Sequence, residues 1–287
     1  MSPPTQRNTN RLLGYPDDAR LLIINADDFG MCHAANAAIT RSLTAGVVTS
    51  TTLMVPCAWA LHGMQWLAAH PDIPFGVHLT AVGDSLHYRW KPISCREHVS
   101  SLVDETGNFY NWDRMAEFFA CARLDELEVE FRAQIDTVLA EGLMPTHLDW
   151  HSIRIHRRPE ILDVMFGLAK EYGLALRVRE RPLIDKVQRQ GLPTNDYDFL
   201  DSSVGFDTAT KPAQFAQLLR DLPAGLSEWA LHPGLGTPEL QTIEPEIWSV
   251  RQADFDFAIS TEARAIIEQE GLILLSYQPL QAAWQGK

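Results

Sequence analysis

Four apolar residues, Leu21-Leu22-Ile23-Ile24, run into Asn25, Ala26 and two adjacent carboxylates, Asp27 and Asp28, before Phe29 and Gly30 close the stretch. A short apolar run ended by a turn signal reads as a strand buried on both faces. The two aspartates then stand at its carboxyl end, where α/β sheets, open or closed, carry their sites. Two like charges side by side are unfavourable unless something neutralises them, and a divalent cation does that best. The alternative is a solvated pair in a loop, with Asp28 capping the next helix.

The rest of the chain alternates strand and helix. Ala35, Ala38, Ile39 and Leu43 recur at helical spacing, and Gly46 sits where a helix stops. Residues 47–56 (VVTSTTLMVP) are rich in β-branched side chains and predict a second strand. A helix follows over 58–69, then a third strand at 75–80 (FGVHLT). One or two helices over 113–141 lead to a fourth strand, THLDWH, at 146–151. Beyond it come a helix at 159–172, a strand at 174–178, a helix at 212–221, a strand at 228–231, a helix at 261–269 and a last strand at 272–277. About seven strands alternating with helices predict an α/β fold, a (β/α) barrel that is irregular or has fewer than eight regular strands. No GxGxxG follows the first strand and no GxxxxGK[ST] occurs, so nucleotide-binding versions lose support. Residues 1–19 read as a flexible leader and 20–287 as a single barrel domain. Residues 81–112 and 179–210 show no clean period. An insert as long as 81–112 is usually functional, and it is expected to cover the pocket.

Lys plus Arg number 24 and Asp plus Glu 37, a formal charge of −13, which argues against a nucleic-acid partner. No stretch resembles a membrane span, and the polar first 20 residues lack an apolar signal core, so a cytoplasmic location is expected. Cys32, Cys57, Cys95 and Cys121 form no CxxC and read as buried free thiols.

Polar residues gather at the strand ends. Asp27 and Asp28 end the first strand, His78 the third, and Arg177 lies near the end of the fifth, while His232 follows the strand at 228–231. Along the fourth, His147, Asp149 and His151 share one face, because side chains alternate along a strand. His147, deepest in the strand, reads as part of a satisfied core network; His151, at its end, reads as a ligand. A carboxylate and two histidines with open positions commonly hold a catalytic divalent metal. Zn²⁺ suits that set, and Mg²⁺, Mn²⁺, Co²⁺ and Fe²⁺ are also candidates. The other aspartate would lie beside the water as a general base. His232 is a general acid or a turn histidine before Pro233. Arg177 holds the base carboxylate, a substrate oxygen, or a structural ion pair. Trp90, Trp112 and Trp150 are sugar-stacking candidates or plain core.

NADDFG, Asn36 in the next helix, GVVTSTTLMV, GVHLT, THLDWH and HPG, in this order, resemble the YdjC/ChbG family of carbohydrate deacetylases. The resemblance implies a (β/α) barrel that removes acetyl groups from N-acetylated sugars or oligosaccharides with one divalent metal. By motif it implies Asp28, His78 and His151 as metal ligands, Asp27 as base and His232 as acid. The sequence departs from the chitooligosaccharide-active pattern at Trp150-His151-Ser152-Ile153-Arg154-Ile155-His156 and at Tyr88-Arg89-Trp90, near the substrate rather than the metal. Arg177, Trp90 and Trp150 are the expected substrate-binding residues. The expected partner is therefore a small N-acetylated sugar, with no membrane span and with a homodimer allowed. Two other readings stay open: a metal-dependent barrel hydrolase or isomerase of another substrate, such as an esterase, and a non-catalytic sugar-binding protein.

Overall fold

Eight strands form one sheet in the computed structural model, which describes residues 8–203, 208 and 210–286. They are β1 (Arg20–Phe29), β2 (Ser50–Leu53), β3 (Phe75–Leu79), β4 (His147–Trp150), β5 (Ala175–Leu176), β6 (Leu200–Asp201), β7 (Gly225–Leu231) and β8 (Ile273–Leu274). Every pairing is parallel, in the order β5-β4-β3-β2-β1-β7-β6, with β8 also on β1. The result is an irregular (β/α) barrel, as expected. Among the described residues no ladder joins β5 to β6. There the Asn195 side chain stands in for a strand, accepting from the Val178 N–H at 3.1 Å and donating to the Val178 carbonyl at 2.6 Å.

β1 is the central element, paired with β7 from Arg20 to Ala26 and with β2 and β8 as well. Its alternation divides the core in two. Leu22, Ile24 and Ala26 join the large core beneath the helices. Leu21 and Ile23 point to the interior and join Ala175, Leu226, Leu275 and Tyr277 in a small apolar floor. Above that floor the interior becomes polar, because the inward positions of β1, β4 and β7 continue as Asn25, His147, Asp149 and Glu228. Gly76 in β3 makes room there: a Cβ would lie 2.6 Å from the His147 carbonyl oxygen.

The structure differs from the sequence reading in several places. From Asn8 the expected leader is packed: Asn8–Leu12 is a short helix, Thr9 and Asn10 are buried, and the Thr9 hydroxyl donates to the Thr194 carbonyl at 2.6 Å. Residues 1–7 lie outside the described residues. The stretch 179–210 contains a helix, Arg181–Gln188, and β6. Two helices, Pro238–Ile243 and Trp248–Ala258, fill a region where no element was expected. The insert 81–112 is irregular apart from 3₁₀ turns and isolated bridges, and it is tied down. Asp104 receives Arg89, Thr106 and Asn108, while the Glu130 carboxylate receives the N–H groups of Ile93 and Ser94. All four cysteines are free, but only Cys32 and Cys57 are buried; Cys95 and Cys121 are exposed. No helix among the described residues is long and apolar enough to cross a membrane.

Candidate active site

The two aspartates of β1 reach the same side by a backbone irregularity. Neighbouring residues of a regular strand point to opposite faces. The β1–β2 register shifts between Ala26 and Phe29, and Asp28 takes a left-handed φ of 68°. That conformation is unfavourable for an aspartate and turns its carboxylate back toward Asp27. Gly30 follows at φ 95°, pressed so close to Ala60 Cα that a Cβ there would lie 3.1 Å from it. Asn36 locks the turn, accepting from Gly30 N–H at 2.6 Å and donating to the Trp59 carbonyl at 3.1 Å.

Asp28 is the meeting point of both histidines. Its Oδ1 lies 3.3 Å from His78 Nε2 and 3.1 Å from His151 Nδ1. Arg251 Nη2 holds Oδ2 at 2.8 Å and is itself clamped by Glu244. Asp149 takes His78 Nδ1 at 2.7 Å, which leaves Nε2 turned to Asp28. On the other ring, His151 Nε2 lies 2.8 Å from Asp84, a residue of the long insert. Burial pushes His78 and His151 toward the neutral form, but Asp149 beside the first and Asp84 beside the second win, raising them to about 10 and about 9. Burial also opposes ionisation of Asp28, yet the Arg251 charge and both histidines hold it well below the ordinary range.

These donors fit a divalent cation. One carboxylate oxygen and two imidazole nitrogens, all within 4.8 Å of one another, are the donor types of a catalytic site. Proton and metal would compete for the same ring nitrogens. Asp27, His78 and Asp149 also cluster that closely. There the positive charge is already supplied, because Arg177 Nη1 lies 2.8 Å from both Asp27 and Asp149.

Asp27 has different surroundings from Asp28. Arg177 grips it with two hydrogen bonds, 2.8 and 2.9 Å, and the Asn25 amide donates at 2.7 Å. Burial works against its charge, but Arg177 outweighs that and keeps the carboxyl ionised. His232 Nε2 lies 3.9 Å from Asp27 Oδ2. Arg177 also donates to Glu228 at 2.6 Å, which Tyr277 caps. His147 lies deeper and stacks flat on Tyr277 with 3.6 Å between ring centres. Burial and the nearby Arg177 charge keep it neutral.

Asp27, Asp28, His78, His151 and His232 all line one cavity of about 1080 Å³. Trp150 lines it as well, with Trp112, Arg154, Arg179 and Phe199 toward the mouth. Trp90 is only 4% exposed and packs edge-on against His151, with 5.2 Å between ring centres, behind the lining. Arg177 is likewise beneath the cavity, fully occupied by carboxylates. Sequence reasoning did not single out Asp84, Glu228, Arg251 or Asp254. Glu228 carried the available signal, a charge inside an apolar strand; the others lie in a loop and a helix that contact the site only through folding.

The sequence profile of the YdjC-like protein family matches residues 21–269. A carbohydrate deacetylase of Enterococcus faecalis is 31% identical over 266 residues, 90% of this chain and 97% of that protein. A chitooligosaccharide deacetylase of Yersinia enterocolitica is 29% identical over 264 residues, 90% of this chain and 98% of the relative. A crystal structure from Enterococcus faecalis, of a protein described by cellobiose-phosphate cleavage, aligns with a TM-score of 0.78 at 30% identity, covering 91% of this chain and 99% of that one.

Proposed function

The chain belongs to the YdjC-like protein family, and from that premise we propose that it is a metal-dependent deacetylase of an N-acetylated sugar or oligosaccharide. The observation that carries the proposal is the convergence of His78 and His151 on one Asp28 oxygen, at the floor of a cavity that Asp27 and His232 also line. Two relatives similar over nearly the whole chain are named a carbohydrate deacetylase and a chitooligosaccharide deacetylase. Asp28, His78 and His151 would hold the ion. When bound, a divalent cation supplies Lewis acidity toward the acetyl carbonyl and acidifies a water.

The chain's own groups carry the rest. Asp27, kept ionised by Arg177, takes a proton from the attacking water. The new C–O bond forms as the carbonyl π-bond opens, and the amide C–N bond breaks as the carbonyl re-forms. His232, on the opposite side of Asp27, gives its Nε2 proton to the departing amine, so acetate and a free amine leave. Arg177 holds the base and does not touch the sugar. Trp150 and the exposed Trp112 offer ring faces to the sugar, and Trp90 supports His151 from behind. Residues 20–287 act as one barrel unit in this reading. The four unpaired thiols support a reducing, cytoplasmic site of action.

The test is acetate release from a panel of N-acetyl sugars and chitooligosaccharides, with metal content measured in parallel. Removal of metal should abolish release, and one added equivalent of Zn²⁺ or Mg²⁺ should restore it. A fully loaded protein that releases acetate from no member of the panel rejects the reading.

A further inference from the structure

His232 is held by a chain of buried groups that the proposed reaction does not use. Ser202 Oγ lies 3.1 Å from His232 Nδ1 and 2.5 Å from Asp254 Oδ2. The same carboxylate oxygen accepts the backbone N–H of His232 at 2.9 Å. Asp254 Oδ1 lies 2.5 Å from Lys211 Nζ. Ser202, Lys211 and Asp254 are each 0% exposed. They come from three separate segments: the residue just after β6, the first residue of the helix Lys211–Asp221, and the middle of the helix Trp248–Ala258.

Counting protons fixes the direction of this chain. A carboxylate paired with a lysine can only accept. Ser202 has one hydroxyl proton, and Asp254 takes it. The Ser202 oxygen can then only accept from His232, so Nδ1 carries a hydrogen. The other carboxylate near that nitrogen, Asp201, is 3.9 Å away and already accepts from the Ser203 N–H and hydroxyl. Burying a Lys–Asp pair carries a desolvation cost that an apolar pair would not. Here the pair fixes both the backbone and the ring of one histidine.

We propose that Asp254, neutralised by Lys211 and acting through Ser202, is a positioning residue that orients His232 and stabilises its doubly protonated ring as donor to the departing amine. The proposal rests on the role given to His232 above. A hydrogen-bonded carboxylate behind an imidazole commonly sets its tautomer and supports its cation; here a serine hydroxyl is interposed.

Two readouts test it. In ¹⁵N spectra, with the ring assigned by His232→Gln, neutral His232 should carry its proton on Nδ1, and Ser202→Ala should shift it toward Nε2. With a chitooligosaccharide, Ser202→Ala and Asp254→Asn should lower kcat about 10²-fold, with KM within about twofold. Both variants should hydrolyse 4-nitrophenyl acetate at nearly the wild-type rate, because nitrophenolate leaves without a proton. Ser202→Thr, which keeps the hydroxyl, should restore the amide reaction. Should Asp254→Asn fail to fold around Lys211, Ser202→Ala carries the test alone. Equal losses on both substrates, undiminished amide turnover in Ser202→Ala, or a wild-type ring protonated on Nε2 would each overturn the proposal. If the wild type releases no acetate from any sugar, the deacetylase reading fails, and the tautomer measurement still decides this one.

Discussion

Asp27 and Asp28 are adjacent in the chain yet face different cations. Asp28 is reached by two histidine nitrogens and one arginine. Asp27 is gripped on both oxygens by Arg177. Arg177 occupies both oxygens of Asp27, whereas Arg251 takes only Oδ2 of Asp28 and leaves Oδ1 turned to the two imidazoles, where a metal would replace protons. Asp28→Asn should therefore lose metal and activity together, since an amide oxygen is a poorer ligand than a carboxylate. Asp27→Asn should keep its metal and lose about 10²–10⁴-fold in turnover, the usual worth of a positioned base. Metal analysis and acetate release on the two variants separate the roles. If Asp27→Asn is the one that loses metal, the assignments are reversed.

The insert 81–112 shows what an irregular element contributes at the next scale. It delivers Asp84 to His151 and places Leu86 and Trp112 at the cavity mouth, while Trp90 stays beneath. Trp112 is 39% exposed, so Trp112→Ala should alter the ratio of kcat/KM values among N-acetyl sugars while leaving stability and metal content unchanged. Trp90→Ala should instead destabilise the fold by about 3–5 kcal/mol, as large-to-small changes in a core do. A sugar panel and a denaturation curve for each variant would tell. Unaltered selectivity in Trp112→Ala removes that ring from the site. Seven of the eight strands were legible as apolar or β-branched runs bounded by turn signals; β6, two residues inside 179–210, was not. NADDFG and GVHLT put Asp28 and His78 on β1 and β3, and THLDWH put His151 at the end of the fourth strand, where it follows Trp150, the last residue of β4. The helix Trp248–Ala258 was not legible, because its buried face includes Arg251 and Asp254 and so breaks the apolar period that marks a helix. Their partners, Asp28 and His232, are distant in sequence, and no local pattern announces such pairs. The helix Arg181–Gln188 was hidden for another reason: it is short, has proline in its first turn, and starts from Glu180 at φ 70°.

Across the whole molecule, the barrel interior changes from apolar floor to charged web to open cavity. A packed barrel usually fills its middle with branched aliphatic side chains. Here Arg177, entering just after β5, joins Asp27 of β1, Asp149 of β4 and Glu228 of β7. One side chain thus ties together strands from both halves of a sheet whose β5 and β6 edges share no ladder among the described residues. Such a web is not efficient stabilisation, but removing the guanidinium that three of its carboxylates share is costly, because they are left facing one another out of water. In metal-free protein, Arg177→Met should lose about 3–5 kcal/mol of unfolding free energy at neutral pH. The pH dependence follows from the direction of the Asp27 shift. Its folded pKa is depressed below the ordinary 3.8 by Arg177, so its contribution is present above that value and fades as pH falls below it. In the variant the crowded carboxylates take up protons more readily, which relieves their repulsion. The stability gap between wild type and Arg177→Met should therefore be widest near neutral pH and shrink steadily on acidification. Urea unfolding at several pH values measures it. A gap that stays constant from neutral pH down to about pH 4 would mean that Arg177 acts by packing, through its contact with the Phe199 ring at 5.1 Å, rather than by its charge.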